Sequence, residues 1–382
     1  MTIKELAHSA QQHLQARTGS SFKRAHIYEL LAGSFGFNSY AALSSEAVFT
    51  RRQPDTDHPS RHSSAIRQRC VELGYDPATA DVVSSEFPAL IAERQIDVIR
   101  FSDLVAQLRG GSSFPHEHSE WKEGGDQADD GSEEMLAPTW FGPEGESFPP
   151  ILLDGLEAAA SRGNPLAHYA LALIHAPNED EDDQAVGSSY WHSQALQGRV
   201  LTGIEKEWAD AHARQLADAN KYVFHLREAA RLGSDHALLD LADRFDDPSF
   251  FMVPHGAAHH DPVNVAEIAE RLGRIGDARH WLAIAAEAGD TDAMHRLIEE
   301  FDHENLQQCW TWLYLAQLAG TDLTQSKQYA INEDGSPYDD DVGGAAYVAG
   351  QDGVELTALD AEQNAAARHA AEELFKRIQL AA

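Results

Sequence analysis

The stretch HWLAIAAEAGDTDAM, His280 to Met294, decides how this chain is read. It is an amphipathic helix that halts at Gly289 and restarts at once. Four more glycines share that setting: Gly163 in LEAAASRGNPLA, Gly198 in YWHSQALQGRVLT, Gly233 in FHLREAARLGSDHA and Gly320 in TWLYLAQLAGTDLT. Three residues before each glycine stand Ala160, Ala195, Ala230, Ala286 and, as the exception, Gln317. Four before stand Ala159, Gln194, Ala229, Ala285 and Ala316. Eight before, Tyr190, His225, Trp281 and Trp312 carry a ring, and Gly155 does not. Four after come Ala167, Thr202, Ala237, Ala293 and Thr324. The glycines are 35, 35, 56 and 31 residues apart. Matched small residues at fixed offsets make this an internal repeat rather than one hairpin.

Each feature has a physical reason. A glycine just past a helix end adopts the left-handed conformation without a Cβ penalty. Asn164, Ser234 and Asp290 then serve as N-caps of the following helix. Alanines three and four before the glycine share one helix face and let two helices cross closely. The ring two turns earlier fills the space between neighbouring units. Such a helix pair cannot cover its own apolar face, so copies must stack.

Trp281 with Ala285, Ala286, Gly289, Asp290 and Ala293, and the equivalent sets around the other four glycines, resemble the Sel-one-like repeat family, a relative of the tetratricopeptide repeat. The resemblance covers about residues 150–325. It implies an all-α fold, an α-solenoid of antiparallel helix pairs, and a role in holding other proteins together. Two departures stand out: acidic HAPNEDEDD, 175–183, replaces the Gly-rich turn within the pair, and the insertion DDPSFFMVPHGAAHHDP, 246–262, accounts for the 56-residue gap.

Three segments are expected. Residues 1–109 form a small N-terminal helical domain, beginning with an amphipathic helix that places Ile3, Leu6, Ala10 and Leu14 on one side. Residues 110–147, rich in Gly, Pro, Ser and acid, form a linker. Residues 148–382 form the repeat solenoid. Its loop at 332–353 leads to a capping helix at 359–379, with Ala366, Ala370, Leu374 and Ile378 on the apolar face and Glu362, Arg368, Glu372, Lys376 and Arg377 on the other. Few runs alternate in period two, so almost no sheet is expected. In AHIYELLAGSFGFNSYAALSSEA, 25–47, Ala32, Gly36 and Leu43 loosely fit a helix-turn-helix, and the stretch resembles a short helical module found at the start of various bacterial proteins. A DNA-reading helix wants Arg, Lys, Asn or Gln near its start, and FNSYAALSSEA offers one asparagine and no cation.

Charge narrows the partner. The net charge of −33 is uneven: zero over 1–110, −9 over 111–147 and −24 over 148–382. Such a field repels phosphate backbones and argues against nucleic-acid binding by the repeats, while it favours a basic protein or peptide. No apolar run is long enough for a membrane span, and the N-terminus lacks a secretory apolar core, which makes a cytoplasmic protein the expectation. Cys70 and Cys309 read as small buried residues rather than as a disulfide or a zinc site.

Candidate chemistry is sparse. His255, His259 and His260 with Asp261 form the densest group of possible metal ligands, unaccompanied by CxxC or HExxH, and HEH at 116–118 is weaker still. NEDGSPYDDD is dense in oxygens, but with Gly335 as the turn glycine only Asn332 and Asp334 fall on calcium-ligand positions; Ala330 stands first and Asp341 replaces the glutamate. No Walker loop, dinucleotide fingerprint or GxSxG elbow occurs, so no cofactor and no catalytic residue are assigned. Two tryptophans outside the repeat phase, Trp208 and Trp310, are the candidate partner-binding residues, with packing against inserted segments as the plainer explanation. The expectation is therefore a non-catalytic, cytoplasmic, bacterial-looking interaction scaffold. Two alternatives stand beside it: a regulatory or defence-type protein whose N-terminal block binds a specific target such as DNA while the repeats oligomerise or sense, and an enzyme with a site in the insertions.

Overall fold

A computed structural model of the chain describes residues 1–51, 63–110, 148–177, 187–254, 260–332, 336, 338 and 345–381. It is mostly helical, with two small antiparallel strand pairs among the described residues. It divides into two compact units, Met1–Asp240 and Leu241–Ala382.

In the first unit, α1 (Ile3–Thr18) opens with a capping box in which Thr2 and Glu5 satisfy each other's backbone N–H at 3.2 and 2.8 Å. Its Ile3, Leu6, Ala10 and Leu14 are all buried, as the spacing predicts. Then follow α2 (Arg24–Ser34), α3 (Tyr40–Glu46), β1 (Ala47–Arg51), α4 (Ser63–Glu72), α5 (Pro77–Glu93), β2 (Ile96–Arg100) and α6 (Phe101–Gly110). β1 and β2 pair antiparallel, Ala47 opposite Arg100. This sheet is small, in line with the expectation of almost none. Four successive β1 residues are buried, on both faces, so the strand shows no period-two alternation.

The repeat region begins with α7 (Pro150–Ala160), α8 (Pro165–Ile174), α9 (Ser188–Leu196), α10 (Ile204–Arg231) and α11 (Asp235–Phe245). The expected break between an N-terminal domain ending at 109 and a solenoid starting at 148 is not where the molecule divides. Ile151 of α7 belongs to the core built by Leu6, Leu14, Phe22, Phe49 and Phe87. Asn164 Nδ2 donates to the Ser45 carbonyl at 2.9 Å. Gly155, the position where the repeat lacks its ring, lies against β1. A Cβ there would stand 2.3 Å from Val48 Cγ2, so the strand occupies the space a ring takes elsewhere. Of the expected linker, 110–147, Gly110 ends α6 and residues 111–147 lie outside the described residues.

The second unit holds α12 (Pro262–Arg271), α13 (Ile275–Glu287), α14 (Thr291–Arg296), which runs into a π-turn at Leu297–Phe301, and α15 (Leu306–Leu318). β3 (Lys327–Ile331) and β4 (Tyr347–Gln351) follow, then α16 (Ala361–Ala381). Tyr347–Gln351 had been expected as loop; it is an exposed strand paired with β3. α16 packs on α15, Tyr314 Oη donating to Asn364 Oδ1 at 2.5 Å with the Arg368 guanidinium 4.3 Å from the Tyr314 ring. Its buried face runs Ala367, Ala371, Leu374, while Ala366 and Ala370 point to solvent. The apolar row lies one residue beyond the expected Ala366 and Ala370, because each of these alanines has alanine as its next neighbour and the phase is not marked. Asp302 is the buried polar centre, accepting from Arg279 Nε at 2.6 Å and Trp312 Nε1 at 2.9 Å, which satisfies a carboxylate that would be costly alone.

Candidate partner-binding surface

The five glycines of the repeat all have positive φ, between 84° and 106°. Each closes its helix with the same two hydrogen bonds. Gly163 N–H donates to the Ala160 carbonyl at 2.8 Å and Asn164 N–H to Ala159 at 3.2 Å; Gly289 and Asp290 do the same to Ala286 and Ala285 at 3.0 and 3.1 Å. The turns at Gly198, Gly233 and Gly320 repeat the pair. Gly273, with φ 70°, shows the same pair, although Glu270 and Val265 stand there where an alanine and a ring stand elsewhere, and so do Gly36 and Gly74, with φ 81° and 89°, ahead of the repeat region. Asn164 and Asp290 cap the next helices, accepting from Ala167 N–H at 3.1 Å and Ala293 N–H at 2.9 Å.

Trp281 and Trp312 are buried, as are Ala285, Ala286, Ala293 and Ala316, whereas Gln317 and Thr324 are exposed. Around Gly198 the ring position is open: Tyr190 is 53% exposed, and Ala195 and Thr202 face solvent. The surface builds outward from there. α9 packs on the first half of α10, and together they present Tyr190, Leu196, Val200, Ile204, Trp208 and Leu216 to solvent. Arg199, in the connection, lies 4.9 Å from the Trp191 ring and 3.6 Å from Glu205.

The second half of α10 is sealed by α8, which runs antiparallel to it. His168 Nδ1 meets His225 Nδ1 at 3.0 Å, and seven residues on, at the end of α8, His175 Nδ1 meets Asp218 Oδ1 at 3.0 Å. Two imidazole nitrogens can share one hydrogen bond only if one ring is neutral. Burial chiefly, then the neighbouring His168, His175 and Lys221 charges, push His225 down to about 4. Burial also lowers His168 and His175. Beneath the trio, the buried Tyr169 accepts from Arg109 Nη1 at 2.8 Å and donates to Asp240 Oδ2 at 2.7 Å, joining α6, α8 and α11.

Of the sequence-predicted site residues, Trp208 lies on the exposed row and Trp310 does not. Trp310 is half-buried, donates its indole N–H to the Thr357 carbonyl at 2.9 Å, and packs on Tyr314. His255 and His259 lie outside the described residues, as do Asp334, Gly335, Asp341 and HEH at 116–118. His260 stands edge-on to Phe250, 5.4 Å between ring centroids, and Asp261 caps α12 by accepting from Val263 N–H at 3.0 Å. No group of three or more metal-ligating side chains converges among the described residues. Cys70 and Cys309 are buried and free, burial first and a nearby aspartate second raising each thiol to about 11. The residues that sequence reasoning missed are Tyr190, Leu196, Val200, Ile204 and Leu216; the first was assigned to the repeat interior.

No helix of the described residues is long and apolar enough to cross a membrane. No family model, curated protein or solved structure matches the chain.

Proposed function

We propose that this protein is a non-catalytic interaction scaffold that binds a basic protein or peptide through the repeat region, as a Sel-one-like α-solenoid would. One observation carries the reading: the α9–α10 hairpin and its connection expose Tyr190, Leu196, Val200, Ile204, Trp208 and Leu216 to solvent. Exposed large apolar side chains gathered on one hairpin mark interaction sites, and aromatic anchors contribute most of the binding energy at such sites. Five turns, Gly163 to Gly320, that share one hydrogen-bond pattern and fall at matched offsets in the sequence support the repeat assignment. So does the way α7 packs on α8, and α12, α13 and α14 on one another, as neighbours in the sequence, although α8 packs chiefly on α10 rather than on α9. The DNA-reading alternative gains nothing from α3, whose YAALSSE carries no cation. The proposed setting is the cytoplasm, with no cofactor.

The test is purification of the intact chain from cells at physiological salt. A protein partner in fixed stoichiometry, lost when salt is raised, is the expected result, because exposed charge attraction is screened by salt. A chain that recovers no protein contradicts the scaffold reading.

A further inference from the structure

Among the described residues, α9 rests on α10, and α10 meets the rest of the first unit broadly only along α8. The two helices form an arm, Ser188 to Arg231, held by the α8 seam and by the chain that runs on into α11. His168, Ala172 and His175 share one face of α8 at helical spacing, and Asp218, Tyr222, His225 and Ala229 share the face of α10 that answers it. The seam is apolar where Tyr222 and Leu226 are buried, and histidines make its polar contacts, His168 to His225 and His175 to Asp218, both at 3.0 Å.

The closed seam opposes protonation of these rings. Burial is the largest influence on all three. His225 then faces His168 and His175 across the seam and Lys221 one turn back on its own helix. His168 faces the Ala160 carbonyl of α7 with Glu228 and Arg231 of α10, but Arg231 already holds Glu228 at 2.8 Å. His175 faces Lys221 and Asp218 of α10 and Glu157 of α7, and Lys221 shares Asp218 at 3.4 Å. Arg109 of α6 and Asp240 and His236 of α11 gather instead at Tyr169. With both facing rings protonated, all four of their nitrogens are donors and the 3.0 Å contact joins two cations. Withdrawal of α10 from α8 hydrates the rings and separates them. We propose that the α8–α10 seam is a proton-operated latch, closed at neutral pH and released by mild acid, which frees α10 from α8 and uncovers Tyr222 and Leu226. Those two lie five turns along the same face from the exposed Ile204 and Trp208, so release lengthens the open apolar face of α10. His225, at about 4 when closed and about 6.5 when hydrated, takes its proton in the open state between those values. The latch is fully closed above about pH 6.5 and loosens as pH falls toward 4; at pH 5.0 His225 alone favours opening about thirtyfold more than at pH 7.5.

Hydrogen exchange of the intact chain at pH 7.5 and 5.0, expressed as protection relative to the unstructured rate at each pH, tests the latch. Amides of α10 between Asp218 and Arg231 should lose at least tenfold in protection at pH 5.0, while those of α1 and α5 hold. In the parent chain the loss should begin below about pH 6.5 and grow toward pH 4. His225→Asn carries no titrating ring and should keep its α10 protection at both pH values. Unchanged α10 protection in the parent overturns the latch. So does parallel loss in α1 and α5, which is unfolding of the whole unit, or an onset confined below about pH 4, where carboxylates titrate. Acid loss in His225→Asn equal to the parent's takes the histidine out of the mechanism and overturns it as well. If His225→Asn does not fold at pH 7.5, His168→Asn takes its place, and if neither folds the onset in the parent chain decides alone.

Discussion

Helix α10 carries one pattern twice, and its two halves have opposite fates. Tyr222, Leu226 and Ala229 lie sealed under α8, whereas five turns earlier on the same face Ile204 and Trp208 look out to solvent and Ala211 is half-buried. The residues do not differ in kind. What differs is that α8 is only ten residues long and ends at His175, where Pro177 two residues on bars continuation. Periodicity therefore states which face wants cover, and the length of the neighbouring helix decides which part receives it.

The comparison can be pressed first where the effect is largest. Leu226→Ala removes a fully buried side chain and should cost about 2–5 kcal/mol in the unfolding of the unit that carries α10. A loss within about 0.5 kcal/mol, the range of ordinary surface changes, would put both halves in the same class.

Acid should then sharpen the difference, because the sealed half holds the histidines. His225 faces His168 and Phe224, with His175, Asp218 and Lys221 toward one end, and His168 adds Glu228 and Arg231 toward the other. With His225 held near 4 when folded against about 6.5 when unfolded, the unfolded chain binds more protons between those values. Stability is full above about pH 6.5 and declines as pH falls toward 4. The melting temperature of this unit should drop by several degrees from pH 7.5 to pH 5, and His225→Asn should flatten that slope. An identical slope in the variant would remove the histidines from the account.

Much of this architecture is legible in the residues. The glycine offsets locate five of the eight turns closed by that hydrogen-bond pair, and the row Ile3, Leu6, Ala10, Leu14 locates the first buried face. The failures are physical. β1 is buried on both faces and shows no alternation. Alanine-rich α16 has no sharp phase. Gly155 looked like a repeat that lost its ring, yet its bare backbone admits Val48 from 107 residues earlier, a contact no local pattern records. The site was half legible. Trp208 stood out among charges, but Tyr190 matched the repeat phase, and phase reports burial only when a neighbour arrives. Trp310 stood out equally and proved to be fastened to Thr357.

The most direct test places one substitution at both ends of the comparison: Ala211→Leu and Ala229→Leu, each measured by denaturant unfolding. Ala229 is fully buried beneath α8, so the added atoms should cost about 1–3 kcal/mol. Ala211, five turns earlier and half-buried, should tolerate leucine within about 0.5 kcal/mol. Equal losses at the two positions would contradict an open first half of α10.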